Sequence, residues 1–162
     1  MHKILVPIDG SDHSLKALHI ACDLADKYGA CISLLYVLDL KKLASEFLSL
    51  TIAAKFESEL KTQLQTAADK PREPVPEDVL RRVGATILQN AASRAHRFDI
   101  KTEIMPIAEG DPAENILIAH KITSAGTIVM GSRGGNFSSL SSFGSVSHKV
   151  FAKADCTCIS VK

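Results

Sequence analysis

Short apolar runs alternate with stretches of helical periodicity along most of the chain, and this alternation constrains the fold more than any other feature. The run from Ile4 to Ile8 is apolar throughout, which is typical of a strand buried on both faces of a sheet. After a turn at residues 9–11, apolar side chains recur at helical spacing, and residues 31–37 form a second, mostly apolar run. This pattern predicts a β-α-β unit with parallel strands and a right-handed crossover.

The same alternation continues to the end of the chain. Residues 43–69 are helical in pattern but irregular, and residues 70–76 hold three of the six prolines, which indicates a loop. The clearest amphipathic helix starts with Pro76 at its first position and carries its apolar stripe as far as Phe98. Three more strands and two more helices are predicted, at residues 101–107 (an edge strand), 111–120, 127–130, 145–153 and 157–161.

Five strands that alternate with helices predict an α/β fold with an open, doubly wound parallel sheet and helices on both faces. Neither side of the proline-rich loop contains a complete core of its own, so we expect residues 1–162 to form a single domain. Residues 39–76 add an extra helix and the loop to it. Such sheets bind ligands beyond the carboxyl ends of their strands, where the strand order reverses.

Composition narrows the classes of function. Nineteen Lys and Arg face eighteen Asp and Glu, a net charge of +1, so no basic surface for nucleic acid is expected. Aromatic residues make up 5% and tryptophan is absent, which argues against a stacking platform for single strands. No apolar run is long enough for a membrane span and no signal peptide is evident, so we expect a cytoplasmic protein with free thiols. The pair Cys156 and Cys158 lacks further metal ligands, and we expect no metal site there.

Residues 131–146 form the segment whose composition points most clearly to ligand binding. They hold four of the nine glycines, with five serines before Gly144, between a buried strand and a helix. Glycines let the backbone approach a ligand closely, and a helix N-terminus offers unpaired N–H groups to phosphate. Arg133 and Ser145 add a cation and a hydroxyl. The spacing matches neither a Walker loop nor the dinucleotide fingerprint, and by composition alone a flexible surface loop is the alternative.

The spacing Gly131-x2-Gly134-x9-Gly144-Ser145 resembles the nucleotide-binding motif of the universal stress protein family, G-2x-G-9x-G-[ST]. The resemblance extends over almost the whole chain outside residues 39–76, where the family is variable. It is carried by segments that are similar to family motifs, namely Val6–Ser11, Leu35–Val37, Gly110–Pro112, Val129–Gly134, Gly144–Ser147 and Cys156–Val161.

The resemblance implies the ATP-binding subgroup of the family, with strand order 3-2-1-4-5 and a homodimer paired through the last strand. It implies that ATP or another adenine nucleotide binds, with a Mg or Mn ion held mainly by the phosphates. The binding residues that it implies are Pro7, Ile8, Asp9, Val37, Met130, Gly131, Gly134, Gly144, Ser145 and Val146; phosphate contact by Arg133 is an open alternative to a solvated loop cation. Thr157 stands where the family usually has proline, and it restores an N–H that could alter the dimer edge.

Other interpretations stay open at this point. Asp9 could merely cap the following helix, although its place at a switch-point strand end favours ligand contact. His13, His19 and His148 have no motif-paired nucleophile or acid, so we expect surface residues and no catalytic residue. The leading function is a nucleotide-dependent regulatory dimer in stress response with an unknown protein partner. The alternatives are a slow ATPase or adenylyl-transfer enzyme, and a nucleotide-free interaction module.

Overall fold

The computed structural model describes residues 2–133 and 144–162. Its strands are β1 (Lys3–Pro7), β2 (Cys31–Leu35), β3 (Val37–Leu38), β4 (Thr102–Ile104), β5 (Ala108–Glu109), β6 (Thr127–Gly131) and β7 (Thr157–Val161). Five of them form one parallel sheet in the order β4-β2-β1-β6-β7. This is the predicted order 3-2-1-4-5 counted over the strands of the main sheet, so the predicted fold class is confirmed.

The helices are α1 (Asp12–Tyr28), α2 (Ala44–Leu48), a 3-10 turn (Thr51–Lys55), α3 (Ser58–Ala68), α4 (Glu77–His96), α5 (Pro112–Thr123) and α6 (Ser145–Lys153). Two of these helices begin at an N-cap residue whose side chain accepts a hydrogen bond. Ser11 accepts from the N–H of Ser14 at the start of α1, and Asp111 accepts from the N–H of Glu114 at the start of α5. These side chains satisfy N–H groups that have no partner inside their helices.

Two predicted strands are each interrupted. The run 31–37 breaks at Tyr36, and the run 101–107 ends at Ile104, just before the segment that contains Pro106. Beyond these breaks β3 and β5 pair with each other as a second, two-stranded parallel sheet, and the N–H of Ala108 donates to the Tyr36 carbonyl at 3.1 Å. A proline lacks the N–H that a ladder needs, so pairing resumes only after Pro106. The chain therefore leaves the main sheet at this end.

The predicted helix over residues 43–69 is also broken, into α2, the 3-10 turn and α3. Each of the three segments contributes its own buried apolar side chains, Phe47 from α2, Ile52 from the 3-10 turn, and Leu60 and Leu64 from α3. Pro76 is the N-cap of α4 and not its first helical residue, because its ψ of 138° is extended. Phe98 lies beyond the end of α4 at His96 and is 41% exposed, so the apolar stripe of this helix ends earlier than predicted.

Two apolar clusters cover the two faces of the main sheet. The first joins the sheet to α1 and α4 and includes side chains from residues 39–76, namely Phe47, Leu50, Ile52, Phe56, Leu60, Leu64 and Val75. The second joins the sheet to α5 and α6 and includes Ile116, Ile128, Met130 and Val150. Helices on both faces explain why the central strands β1 and β6 are apolar and buried along their middle residues. Among the described residues, no helix is both long and apolar enough to cross a membrane.

The last strand, β7, is an edge of the main sheet and pairs with β6. The N–H of Thr157 donates to the carbonyl of Gly126 at 3.3 Å. The idea that this N–H alters the outer edge is therefore wrong, because it faces β6 and adds a bond inside the sheet. Just before β7, Asp155 lies with Oδ1 2.7 Å from Nε2 of the buried His120, which ties α5 to this edge.

Candidate functional site

A cleft of about 310 Å³ opens at the carboxyl ends of β1 and β6. The strand order reverses here, because β1 leads to β2 on one side and pairs with β6 on the other. After β2 the chain leaves the main sheet to form β3, so no strand of the described part of the chain covers the space beside the carboxyl ends of β1 and β6. The cleft volume lies at the lower end of the roughly 300–1,000 Å³ that is usual for small-molecule sites.

The structure brings the sequence-predicted binding residues together around this cleft. Its lining includes Pro7, Ile8, Asp9, Val37, Met130, Gly131, Arg133, Gly144, Ser145 and Val146. They come from four places that are far apart in the chain: the end of β1, the start of β3, the end of β6 and the start of α6. Gly134 lies outside the described residues.

Asp9 both lines the cleft and organises the start of α1. Its Oδ1 accepts from the N–H of Ser11 at 2.9 Å and from the Ser11 hydroxyl at 2.6 Å. Ser11 in turn caps α1, so the carboxylate is held in place through the cap residue. A carboxylate fixed by two hydrogen bonds keeps further acceptor capacity for a ligand hydroxyl or amine.

Hydrogen bonds join the two described ends of the glycine-rich loop, at Ser132 and Gly144. The N–H of Ser132 donates to the carbonyl of Val161, and the N–H of Gly144 donates to the carbonyl of Ser132, each at 2.7 Å. The Ser147 hydroxyl donates to the same Ser132 carbonyl at 3.0 Å. These bonds place the N-terminus of α6 beside the end of β6.

Gly144 is the N-cap of α6 and has no side chain that could accept from the first turn. The first N–H groups of a helix have no partner within it, and the helix dipole gives this end a partial positive charge. Ser145 and Val146, the first residues of α6, line the cleft. The cleft therefore combines backbone donors with the cation of Arg133, an arrangement that suits an anion such as phosphate.

Two glycines allow close packing at this end of the cleft. A Cβ on Gly131 would lie 2.9 Å from the backbone carbon of His13 and 3.0 Å from the nitrogen of Ser14. A Cβ on Gly144 would lie 3.1 Å from the carbonyl oxygen of Ser132. Any side chain at Gly131 would thus push the end of β6 away from the first turn of α1.

Several lining residues were not predicted from the sequence. They are Ser14, Leu35, Tyr36, Asp39, Lys41, Lys42, Glu46, Pro112, Ile116, Ser132 and Ser147. The charged members belong to the segment after β3, which follows no recognisable motif. Tyr36 could have been suspected, since it directly precedes Val37. Its ring is buried, and burial raises the pKa of the Tyr36 hydroxyl well above its usual range, with the Asp9 and Asp39 charges adding to the shift.

The arrangement offers binding groups more than catalytic ones. Over residues 2–133 and 144–162, no group of three or more His, Cys, Asp or Glu side chains is placed to hold a metal ion. The ring Nδ1 of His13 lies 3.4 Å from the hydroxyl of Ser132, a buried residue in the lining of the cleft. His148 is exposed on α6, as expected for a surface residue.

Comparison with known proteins agrees with this architecture. The profile of the universal stress protein family matches residues 1–162. Universal stress protein YxiE of Bacillus subtilis is 31% identical over 163 residues, which cover 99% of each chain.

Solved structures show the same fold. The universal stress protein of Archaeoglobus fulgidus in complex with dAMP superposes with a TM-score of 0.62 at 20% identity, over 100% of this chain and 98% of that one. A universal stress protein family member of Arabidopsis thaliana with AMP bound gives a TM-score of 0.63 at 17% identity, over 100% and 92%. With the match of the family profile over the whole chain, these findings show that the chain belongs to the universal stress protein family.

Proposed function

We propose that the cleft binds an adenine nucleotide, with ATP as the first candidate, and that the protein acts as a nucleotide-dependent regulator in stress response. The observation that carries the proposal is the convergence of β1, β3, β6 and the N-terminus of α6 on one cleft. Two members of the same fold family were solved with dAMP and AMP, which supports adenine nucleotide as the ligand class.

The cleft has two chemically different ends, and we assign the parts of the nucleotide to them. Pro7, Ile8 and Val37 offer aliphatic walls and backbone edges to the adenosine, with the Asp9 carboxylate for the ribose or base. Met130 and Gly131 pack at the ribose. Ser145 and Val146 offer N–H groups to the phosphates, with Arg133 as the nearby cation. The N–H of Gly144 is held by the Ser132 carbonyl, so we assign Gly144 the role of letting the backbone approach the phosphates closely, and we extend the phosphate-binding role to Gly134.

A divalent ion, Mg or Mn, belongs to this proposal as the partner of the phosphates. The carboxylates that line the cleft, Asp9, Asp39 and Glu46, do not form a cluster that would hold such an ion without the nucleotide. Phosphate oxygens and water are the usual ligands of Mg bound together with a nucleotide. When bound, the ion would neutralise phosphate charge.

We also propose a homodimer that pairs through β7. The N–H of Thr157 faces β6, and successive residues of a strand present their backbone groups to alternate sides. The backbone groups of Cys158 and Ser160 therefore face away from β6, where a second copy can pair with them. An uncovered strand edge is otherwise a site of uncontrolled association.

Titration calorimetry with ATP and Mg tests the nucleotide proposal, with Gly144→Val as the variant. A Cβ at this position already lies 3.1 Å from the Ser132 carbonyl, so the two further methyl groups displace the loop ends. The matched control is Gly126→Val at the opposite end of β6, where no atom lies within 4 Å of the added Cβ. We expect at least a tenfold loss of affinity in Gly144→Val and an unchanged affinity in Gly126→Val, with the circular dichroism spectrum of both unchanged.

The absence of heat and of any adenine nucleotide in the purified wild-type protein would overturn the proposal. Equal ATP affinities in Gly144→Val and Gly126→Val would show that the glycine-rich loop does not take part in ATP binding. Mass spectrometry of the ligand released from freshly purified protein gives an independent answer, because a bound nucleotide would be carried through purification.

A further inference from the structure

A second cavity, of about 280 Å³, lies between α1 and α4. It shares no lining residue with the nucleotide cleft. Its base is formed by Leu18 and Cys22 of α1, which are 2% and 0% exposed. The cavity therefore reaches from the protein surface to the apolar core.

The walls of this cavity are apolar as well. Leu15 lies on the α1 side, and Phe98 lies just after the end of α4 and is 41% exposed. The Phe98 ring meets the ring of His19 edge to face, with 5.4 Å between the centroids. Burial raises the pKa of the Cys22 thiol to about 11, with the charge of Asp23 adding to the shift, so the base of the cavity is uncharged at neutral pH.

Two guanidinium groups, of Arg94 and Arg97, complete the lining on the α4 side. Both side chains are exposed, and no carboxylate of the described residues lies within ion-pair distance of either one. Arg94 donates from Nε to Oδ1 of Asn90, which leaves its terminal nitrogens available. The acidic group on the other side, Asp23, lies 4.0 Å from His19.

The position of these arginines near the end of α4 has a structural benefit of its own. Cations interact favourably with the negative end of a helix dipole. That benefit does not require an apolar cavity beside the two guanidinium groups. The apolar base, the exposed aromatic wall and the two cations without a carboxylate partner among the described residues together fit a ligand that has an apolar body and an anionic end.

We propose that this cavity binds a small apolar carboxylate, with its hydrocarbon body against Leu18, Cys22 and Phe98 and its carboxylate between Arg94 and Arg97. Guanidinium groups present their donors in a fork that fits a carboxylate, and they stay charged throughout the physiological pH range. The volume is near the lower limit for small-molecule sites, so the body is a short chain or a single ring. The inference does not depend on nucleotide binding.

The test uses sodium octanoate as the probe and the ¹⁵N-labelled full chain as the sample. Octanoate should shift the amide signals of residues 15–22 and 94–98 in a saturable manner. The uncharged 1-octanol has the same chain length and should bind at least tenfold more weakly, because it lacks the carboxylate. The double variant Arg94→Gln/Arg97→Gln should lose at least tenfold in octanoate affinity. Arg72→Gln, in the exposed loop before α4, is the matched control and should bind as the wild type does.

Four outcomes would overturn the inference: no saturable shift, shifts confined to other parts of the chain, equal affinities for octanoate and octanol, and equal affinities in the double variant and Arg72→Gln. All of these titrations use folded protein, since both arginines are exposed and their replacement leaves the core intact. Octanoate binding should also weaken as salt is raised, because ions screen an exposed charge pair.

Discussion

The Tyr36 ring packs directly against the backbone of α4 at Gly84. From this contact we predict how replacing Gly84 with alanine changes the free energy of unfolding. Tyr36 is buried between β2 and β3 and lines the cleft at the carboxyl ends of β1 and β6. A Cβ added at Gly84 would lie 2.6 Å from both Cδ1 and Cε1 of that ring, and 3.3 Å from Cδ1 of Ile107. Gly84→Ala therefore forces the ring or the helix to move.

The sign of the stability change separates two effects. In an exposed helix interior, replacing glycine with alanine stabilises by about 1 kcal/mol. Overpacking of a core typically costs about 1–3 kcal/mol, and Gly84→Ala belongs in the upper half of that range because the ring meets the new methyl group at two atoms. We expect a net loss of roughly 1–2 kcal/mol in the free energy of unfolding, which lowers the melting temperature by roughly 2–8 °C in a domain of this size.

Thermal and urea unfolding measure this loss, and a double-mutant cycle assigns it. Tyr36→Leu removes the ring atoms that the new methyl group would meet, so Gly84→Ala should cost much less in a Tyr36→Leu background. Gly126→Ala serves as the control, since its Cβ meets no atom within 4 Å and should change stability by less than about 0.5 kcal/mol. ATP affinity should fall in Gly84→Ala and stay unchanged in Gly126→Ala, because only the first variant displaces the Tyr36 ring that lines the cleft.

A melting temperature that rises in Gly84→Ala would refute the reasoning, because the helix propensity of alanine would then act without opposition. Additive effects of Gly84→Ala and Tyr36→Leu would refute it as well. In that case the ring would not be in contact with the helix at this position.

Three further perturbations probe other parts of the molecule. Gly131→Ala should destabilise by about 1–3 kcal/mol in urea unfolding, since its Cβ meets the backbone of α1 at 2.9 Å. The hydrogen bond from His120 lowers the pKa of Asp155. The wild type should therefore be more stable than Asp155→Asn above pH about 4, the pKa of an unfolded aspartate, and this difference should shrink as the pH falls further. A difference in melting temperature between the two proteins that stays the same at every pH would contradict this. If the proposed dimer pairs through β7, Ser160→Pro removes an outward N–H and should give a monomer in light scattering, whereas Thr157→Pro removes an inward N–H and should leave the dimer intact.

Local patterns in the sequence determine the regular elements of the main sheet and the ends of its helices. The apolar run at Ile4–Ile8, the cap at Ser11 and the cap at Asp111 each depend on residues within a few positions of one another. Such short-range signals are legible without tertiary structure, because periodicity and capping are local properties of the backbone. The place of the cleft follows from them too, since parallel strands bring their carboxyl ends to one edge.

The glycine motif pointed to residues that the structure places at the cleft, namely Gly131, Gly144 and Ser145, but not to the charged residues after β3. Asp39, Lys41 and Glu46 line the cleft because the chain leaves the main sheet at Tyr36 and continues as β3 of the second sheet. That departure depends on pairing with β5, about seventy residues further along the chain. No local pattern encodes a partner so distant.

The sequence by itself therefore determined the succession of the five main-sheet strands and the helices between them outside residues 39–76, the family resemblance and the residues of the glycine-rich motif. Only the tertiary structure decided where Tyr36 packs, which way the N–H of Thr157 faces, and that His120 meets Asp155. It alone placed Arg94 and Phe98 beside the first helix to enclose a second cavity. The physical reason is that these contacts join residues far apart in the chain, and their geometry is set by how the helices pack on the two faces of the sheet.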